Sequence, residues 1–110
     1  MIIDFDRIEE TVSDGFKGGE GIMRSHGYFD GSNRIMRASL EPGAYIGMHT
    51  HEDNCEIVYI LRGKGKFIYD GQEFPISEGQ CHYCPKGHTH SLINDSAEDL
   101  VFFAAVPAQP

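Results

Sequence analysis

The sequence is poor in basic residues, has no tryptophan and contains no long apolar run. Nine Lys and Arg residues stand against 17 Asp and Glu residues in a chain of 110, which gives a net charge of −8 at pH 7. The basic residues are scattered, whereas a protein that binds a phosphate backbone or an anionic membrane surface needs them clustered. We therefore expect no nucleic-acid partner and no membrane partner.

The sequence also lacks the marks of secretion and of membrane insertion. No apolar stretch approaches the roughly 20 residues that span a bilayer. The stretch MIIDFDRIEE is acidic and has no basic region followed by an apolar one, so we expect a cytoplasmic protein. The three cysteines, Cys55, Cys81 and Cys84, are an odd number and argue against a disulfide scaffold.

Short β-type runs separated by turn residues fill most of the chain. The runs are rich in Val, Ile, Tyr and Phe, which strands favour. They cover residues 22–29, 34–40, 56–61, 66–69, 72–76, 80–84, 91–94 and 100–106. Asp70-Gly71 predicts a tight hairpin, and Pro75 restricts its run to an edge or irregular strand. Many short strands of this kind predict an all-β sandwich or small barrel.

The N-terminal part is less regular than the rest. Residues 6–12 predict one helical turn or a short helix, and the Gly-rich residues 13–21 predict a loop. We divide the chain into an N-terminal extension, residues 1–30, and a core, residues 31–110. An extended segment near the N-terminus could add strands to the core or pair with a partner's sheet edge, so we expect a homodimer.

Four side chains suited to metal binding occur at fixed spacing. His49 and His51 are two residues apart, so on a strand they point to the same face, about 7 Å apart along the chain. Glu56 opens the next apolar run after a polar loop, and His90 follows the Pro85–Gly87 turn. Three imidazoles and one carboxylate form a complete ligand set for one divalent transition metal ion.

Two stretches of the sequence resemble the two motifs of the cupin superfamily. The first stretch reads Gly43-x5-His49-x-His51-x4-Glu56-x6-Gly63, and the second reads Gly79-x5-Pro85-x-Gly87-x2-His90-x3-Asn94. Every fixed position is matched, over about half of the chain. One departure is Gln80, where many relatives have Asp, but that position is not a ligand.

The resemblance implies a single-domain jelly-roll barrel, or double-stranded β-helix, with a metal ion inside. It implies ligands at the positions of His49, His51, Glu56 and His90. The family includes dioxygenases, decarboxylases, isomerases, epimerases and binding proteins, so it does not fix the reaction. Nitrogen and oxygen ligands suit Fe, Mn, Ni, Co, Cu or Zn, and one such ion is expected per chain.

Further residues are candidates for the pocket around the ion. If Glu56 points inward, strand alternation turns Val58 and Ile60 inward as well, which gives an apolar pocket. Arg37 and Phe103 are two further candidates for its lining, although an Arg on a solvated outer face and an aromatic residue in the core are the alternatives. His88 is a candidate for proton transfer at the metal, and a solvent-exposed turn histidine is the alternative.

The pair Cys81 and Cys84 has the spacing of redox and zinc sites. On a strand, residues three apart point to opposite faces, so the pair cannot close a disulfide without a bulge. Buried apolar cysteines are the preferred interpretation.

Three classes of function remain open. The first is a metalloenzyme that acts on a small oxygenated metabolite, a carboxylate or a sugar-like molecule, by Lewis-acid or O2 chemistry. The second is a non-catalytic module that binds or senses a small ligand or a metal. The third is a structural or thiol-redox protein that uses Cys81 and Cys84.

Overall fold

The chain folds almost entirely into β-strands. The computed structural model describes residues 1–110. Its strands are β1 Thr11–Asp14, β2 Ile22–Phe29, β3 Arg34–Leu40, β4 His49–Thr50, β5 Glu56–Arg62, β6 Lys64–Tyr69, β7 Gln72–Ser77, β8 Cys81–Cys84, β9 Thr89–Ile93 and β10 Leu100–Val106. Two 3₁₀ turns, Phe5–Arg7 and Phe16–Gly18, complete the regular structure. No helix has the length and apolar character needed to cross a membrane.

The strands form two sheets whose neighbouring strands are antiparallel. The six-stranded sheet has the order β1-β2-β3-β10-β5-β8, and the four-stranded sheet has the order β4-β9-β6-β7. Strands far apart in sequence are therefore adjacent, as β3 and β10 are. This arrangement confirms the predicted all-β jelly-roll fold.

The core lies between the two sheets and follows strand alternation. On β5, Val58 and Ile60 are buried, whereas Ile57, Tyr59 and Leu61 face outward. Fourteen buried apolar residues from both sheets form one cluster. Burial of such side chains contributes about 1.5–3 kcal/mol each. The same alternation turns Glu56 inward, at the end of the strand nearest the cluster of histidines.

The hairpin predicted at Asp70-Gly71 and the edge strand predicted at Pro75 are both confirmed. Asp70 and Gly71 both have positive φ, at 47° and 82°, as a two-residue hairpin between β6 and β7 requires. Pro75 lies in β7, which is the last strand of its sheet. Proline has no N–H group to donate to a neighbouring strand. At the edge of a sheet this loses no hydrogen bond, because one side of the strand has no neighbour.

Residues 6–12 were predicted to form one helical turn or a short helix, and the structure has a turn there but no longer helix. A single 3₁₀ turn, Phe5–Arg7, is followed by β1, which pairs with β2. Thr11 and Val12 are β-branched and favour the strand, and pairing with β2 supplies hydrogen bonds that a lone helical turn lacks. The first strand thus extends the chain's own six-stranded sheet.

The last motif residue, Asn94, has a structural role. It is fully buried, and its Nδ2 atom donates to the carbonyl oxygens of Leu40 and Glu98, each at 2.8 Å. Its Oδ1 atom accepts from the backbone N–H and the hydroxyl of Ser96. These bonds fix the loop between β9 and β10, because a buried amide left unpaired is costly.

Candidate metal centre

Three elements bring the four candidate ligands together. His49 is directly opposite His90 in the register of β4 and β9. His51 follows β4 closely, and Glu56 is the first residue of β5. His51, Glu56 and His90 are buried, and His49 is partly buried. The two motifs, which are far apart in the sequence, therefore converge on one point inside the barrel.

The donor atoms lie at the separations that a shared metal ion requires. Nε2 of His90 lies 2.9 Å from Nε2 of His51, 3.2 Å from Nε2 of His49 and 2.9 Å from Oε1 of Glu56. Oε1 of Glu56 lies 3.1 Å from Nε2 of His51 and 3.9 Å from Nε2 of His49. Ligands at roughly 2.1 Å from one ion are separated by about 3.0–3.4 Å in octahedral or tetrahedral geometry.

Two of the rings are held with their Nε2 lone pairs facing the centre. Nδ1 of His49 lies 2.8 Å from the carbonyl oxygen of Gly47, and Nδ1 of His51 lies 2.6 Å from Oδ1 of Asn54. Both partners are acceptors, so each Nδ1 carries the ring proton and each neutral ring has a bare Nε2. Such partners commonly orient metal-binding histidines. Asn54, in the polar loop before β5, was not singled out from the sequence.

The electrostatics of the centre favour a cation. Burial raises the pKa of Glu56, but hydrogen bonds with His49, His51 and His90 outweigh burial and hold that pKa well below 4.5. The hydrogen bond with Glu56 raises the pKa of His51, whereas burial lowers the pKa of His90. Those hydrogen bonds require a proton on the imidazole nitrogens that face Glu56. When the rings lose that proton, the bare nitrogens and the carboxylate form a donor set that fits a divalent transition metal ion.

A cavity of about 660 Å³ opens onto the centre. His49, His51 and Glu56 contribute to its wall, together with hydroxyl groups, the cations Lys17 and Arg34, and the acidic residues Glu52 and Asp53. The positive charge of Lys17 acts against protonation of His51. A ligand in this cavity would therefore meet the metal site and charged groups of both signs.

Val58 and Ile60 point inward, as alternation predicts. They are 2% and 0% exposed and belong to the central apolar cluster. Neither lines the cavity beside the ligands. Met23, Met36 and Ile46 provide apolar wall there instead.

Arg37 and Phe103 lie outside the cavity, contrary to the expectation. Arg37 on β3 and Phe103 on β10 alternate with buried neighbours. Both side chains therefore project outward from the six-stranded sheet. Arg37 donates to Asp6 at 2.8 Å. Phe103 makes an edge contact with Phe5 at 6.2 Å between ring centroids. The N-terminal turn thus covers these two residues.

The ring of His88 contacts the β6–β7 hairpin rather than the cavity. Its Nδ1 atom lies 2.5 Å from Oδ2 of Asp70 and 3.2 Å from the hydroxyl of Tyr69. This contact lowers the pKa of Asp70. The placement does not support proton transfer by His88 at the metal.

His82 is a further neighbour of the centre, at a position that the spacing of the ligand motifs does not mark. Its Nε2 atom lies 3.0 Å from Nδ1 of His90, and its ring stacks on Phe67 at 3.8 Å between centroids. Burial lowers the pKa of His82 to about 4, so the ring is neutral near pH 7. Alternation along β8 would have indicated its inward direction, because Cys84 on the same face is buried.

Cys81 and Cys84 lie on opposite faces of β8, as predicted. Cys84 is buried and Cys81 is exposed, so only one of the two is a buried cysteine. Both are free thiols. Burial raises the pKa of Cys84 to about 11, and a thiol in that state is a poor nucleophile and a poor metal ligand. The geometry does not support a dithiol redox site.

Relatives match this chain over most of its length. A protein of Thermotoga maritima named oxalate-binding protein is 30% identical over 112 residues, which cover 96% of this chain and 93% of the relative. A crystal structure from Thermotoga maritima, described as a predicted oxalate decarboxylase, has a TM-score of 0.91 at 30% identity and covers 98% of this chain and 99% of that chain.

A shorter match reaches a glucose-6-phosphate isomerase of Thermococcus gammatolerans. It is 34% identical over 65 residues, which cover 54% of this chain and 34% of the isomerase. The family model for the cupin domain matches residues 36–106, which include all four candidate ligands. The chain therefore belongs to the cupin family, as a small single-domain cupin.

Proposed function

We propose that this cupin binds one divalent transition metal ion through His49, His51, Glu56 and His90, and a small carboxylate ligand at that ion. One observation carries the proposal. In their neutral form, His49 and His51 present bare Nε2 atoms that converge with the carboxylate of Glu56 in a buried site. Lone pairs that face each other repel unless a cation lies between them.

Several groups in the cavity wall suit a carboxylate ligand. Lys17 and Arg34 line it beside the acidic Glu52 and Asp53, and Thr11, Ser13 and Ser25 add hydroxyl groups. Carboxylate oxygens bind transition metals and accept hydrogen bonds from such groups. The relative from Thermotoga maritima is named for oxalate binding, which makes oxalate the first carboxylate to test.

Catalysis at the same ion is the second candidate. Four protein ligands leave one or two positions of a five- or six-coordinate ion open. Those positions would face the cavity, since His49, His51 and Glu56 contribute to its wall. A metal ion there supplies Lewis-acid or O2 chemistry to a small carboxylate or sugar-like molecule. Formation of product from such a molecule would distinguish an enzyme from a binding module.

Metal analysis of protein purified without an affinity tag tests the first part. We expect about one transition metal ion per chain in the wild type and loss of that ion in His49→Ala. The matched control is His26→Ala, because His26 contacts Ile8 and Glu10 and lies outside the centre. Equal metal content in His49→Ala and the wild type would refute the proposed ligand set.

Calorimetric titration with oxalate tests the second part. The metal-loaded wild type should bind oxalate, and Lys17→Met should weaken binding by up to about fivefold, because an exposed charge pair contributes about 0.2–1 kcal/mol. Lys86→Met is the control, since Lys86 is exposed and does not line the cavity. Equal weakening by both variants would indicate a general charge effect and refute a role for Lys17 in the cavity.

We also propose that the protein forms a homodimer through the outer face of β5 and β8. Ile57, Tyr59, Leu61 and Tyr83 are 37–52% exposed there, and Ile57 is directly opposite Tyr83 in the strand register. These side chains are uncharged at neutral pH. Because each chain carries a net charge of −8, two copies repel least when they meet at an uncharged surface. A symmetric contact of this apolar patch with itself satisfies that condition.

A further inference from the structure

One imidazole outside the ligand set contacts the candidate centre directly. His82 lies on β8 of the six-stranded sheet, whereas His90 lies on β9 of the four-stranded sheet. Nε2 of His82 lies 3.0 Å from Nδ1 of His90. The ring of His82 stacks on buried Phe67 with an interplanar angle of 25°. This stacking fixes the direction of the Nε2 atom towards His90.

The hydrogen bond between the rings of His82 and His90 uses a single proton. Two ring nitrogens form a hydrogen bond only if one donates and the other accepts. The other nitrogen of His90, Nε2, lies 2.9 Å from Oε1 of Glu56. When Nε2 of His90 carries a proton, it donates to the carboxylate of Glu56. Nδ1 of a neutral His90 is then bare, so Nε2 of His82 must donate to it. When Nε2 is a metal ligand, Nδ1 carries the proton and His82 must accept.

We propose that His82 is a positioning residue that holds Nδ1 of His90 in both of its tautomers. Its Nε2 atom donates to Nδ1 of His90 when Nε2 of His90 is protonated, and accepts from Nδ1 when Nε2 is used as a ligand. An imidazole is suited to both roles because its two nitrogens exchange donor and acceptor character. This role rests on the metal binding proposed above, and it adds a residue to the site that is not a fixed position of either ligand motif.

The rings of His82 and His90 can change tautomer together without a change in the charge of either ring. The proton in the hydrogen bond passes from Nε2 of His82 to Nδ1 of His90, and the proton on Nε2 of His90 leaves. Nδ1 of His82 takes up a proton, so each ring is neutral before and after the exchange.

The proton taken up by His82 has a route from solvent. Nδ1 of His82 has no hydrogen-bond partner in the protein, and no buried side-chain nitrogen or oxygen lacks a partner, so this atom is accessible to water. His82 lines a second cavity, of about 520 Å³, between the edge strands β7 and β8. The metal ligands His49, His51 and Glu56 face the first cavity and not the second. His82 thus connects the ligand His90 to a separate solvent-filled space.

A matched pair of variants separates the hydrogen bond from the packing. His82→Phe keeps a ring that stacks on Phe67 but removes both nitrogens. His82→Gln supplies an amide that turns to present either its oxygen or its N–H group. Co(II) is the probe for affinity, measured by competition with a chelator, and thermal unfolding verifies that both variants fold. We expect His82→Phe to lower Co(II) affinity by about 10–100-fold and His82→Gln to recover most of the loss.

The second readout is nitrogen NMR of the two rings. In protein stripped of metal we expect a hydrogen bond between Nε2 of His82 and Nδ1 of His90 with the proton on His82. Addition of Zn(II) should move the proton to Nδ1 of His90 and place a proton on Nδ1 of His82. A merely structural role for His82 would leave its tautomer unchanged.

The outcomes distinguish this inference from the proposed function. Wild-type Co(II) affinity in His82→Phe, or one unchanged tautomer of His82 with and without Zn(II), would overturn the role of His82 while metal binding stands. Absence of the inter-ring hydrogen bond in the stripped protein would overturn it independently of any metal. Wild-type protein that binds neither Co(II) nor Zn(II) would refute the proposed function itself.

Discussion

At the scale of single residues, the centre combines groups that would repel each other in isolation. Glu56 is buried, and its carboxylate faces the imidazole nitrogens of His49, His51 and His90. Second partners fix two of the rings: Gly47 accepts from His49, and Asn54 accepts from His51. A metal ion among these atoms removes the repulsion between the carboxylate and the nitrogen lone pairs. Protons on some of the same atoms remove it less completely. Acidity therefore competes with the metal for the same atoms.

The pH dependence of stability in metal-free protein is the first prediction at this scale. The pKa of Glu56 is lowered from 4.5, so its contribution is fully present above pH 4.5 and is lost as the pH falls through the folded-state pKa. The pKa of His51 is raised from 6.5, so its contribution is fully present below pH 6.5 and is lost as the pH rises through the folded-state pKa. Both contributions are fully present only between pH 4.5 and pH 6.5. The lowered pKa values of His82 and His90 act in the opposite direction to that of His51, because they cost stability as the pH falls below 6.5.

Thermal unfolding in the presence of a chelator measures this profile. Glu56→Gln should remove the contributions of Glu56 and His51, because the neutral amide has no proton to lose and no longer raises the pKa of His51. Glu98→Gln is the matched control, since Glu98 is exposed and outside the centre. A Glu56→Gln profile that coincides with the wild-type profile would contradict the assignment of both groups.

The sequence predicted some residues of the site and not others, because motif spacing marks the ligands but not which strands face each other or which face of a strand points inward. The four ligand candidates occur in two short motifs whose spacing is visible in the sequence. His82 meets His90 only because β8 and β9, in different sheets, face each other across the barrel. Arg37 and Phe103 were assigned to the pocket from their residue types, although alternation places them on the outer face.

At the scale of elements, most strands were predictable and the N-terminal part was not. The bounds of β2, β3 and β10 agree with the predicted runs because alternation, β-branched residues and flanking turns all indicate the same structure. β1 has only four residues, and its pairing with β2 is a contact that local propensity does not indicate. The short β4 is likewise fixed by its pairing with β9.

The second 3₁₀ turn, Phe16–Gly18, lies at the mouth of the first cavity and is held by close backbone contacts. The N–H of Gly47 donates to the carbonyl oxygen of Phe16 at 3.0 Å. A Cβ atom added to Gly47 would lie 2.0 Å from the carbonyl oxygen of Lys17. The contact leaves no room for a side chain, and it positions Phe16 and Lys17 beside the ligands.

Gly47→Ala tests this contact. We expect the free energy of unfolding to fall by about 1–3 kcal/mol, because the added methyl group forces the two backbones apart. The matched control is Gly27→Ala in β2, where the new Cβ would have only ordinary contacts, the nearest at 3.5 Å. Alanine at position 27 should change the free energy of unfolding by less than about 1 kcal/mol. An increase is favoured, because the unfolded chain has less conformational entropy with alanine than with glycine. Urea unfolding of both variants compares them, and equal effects would contradict the close approach at Gly47.

At the scale of the whole molecule, the two faces of the six-stranded sheet have different roles. The inner face carries the core and the wall of the first cavity, and the outer face carries exposed apolar side chains on adjacent strands. Scattered apolar residues on a surface are ordinary, but a contiguous uncharged patch indicates a contact surface. Cys81 and Tyr83 on β8 extend this patch to the edge of the sheet.

Sedimentation measurements test the dimer that we infer from this patch. The wild type should sediment as a dimer, and Tyr59→Glu should sediment as a monomer, because the substitution places a buried, unpaired carboxylate on each side of a symmetric contact. Phe74→Glu is the control: Phe74 is 46% exposed but lies on β7, in the other sheet. Because the metal ligands lie on the inner side of the sheet, Tyr59→Glu should retain its metal. A monomeric wild type, or a Tyr59→Glu variant that stays dimeric, would exclude this face as the interface.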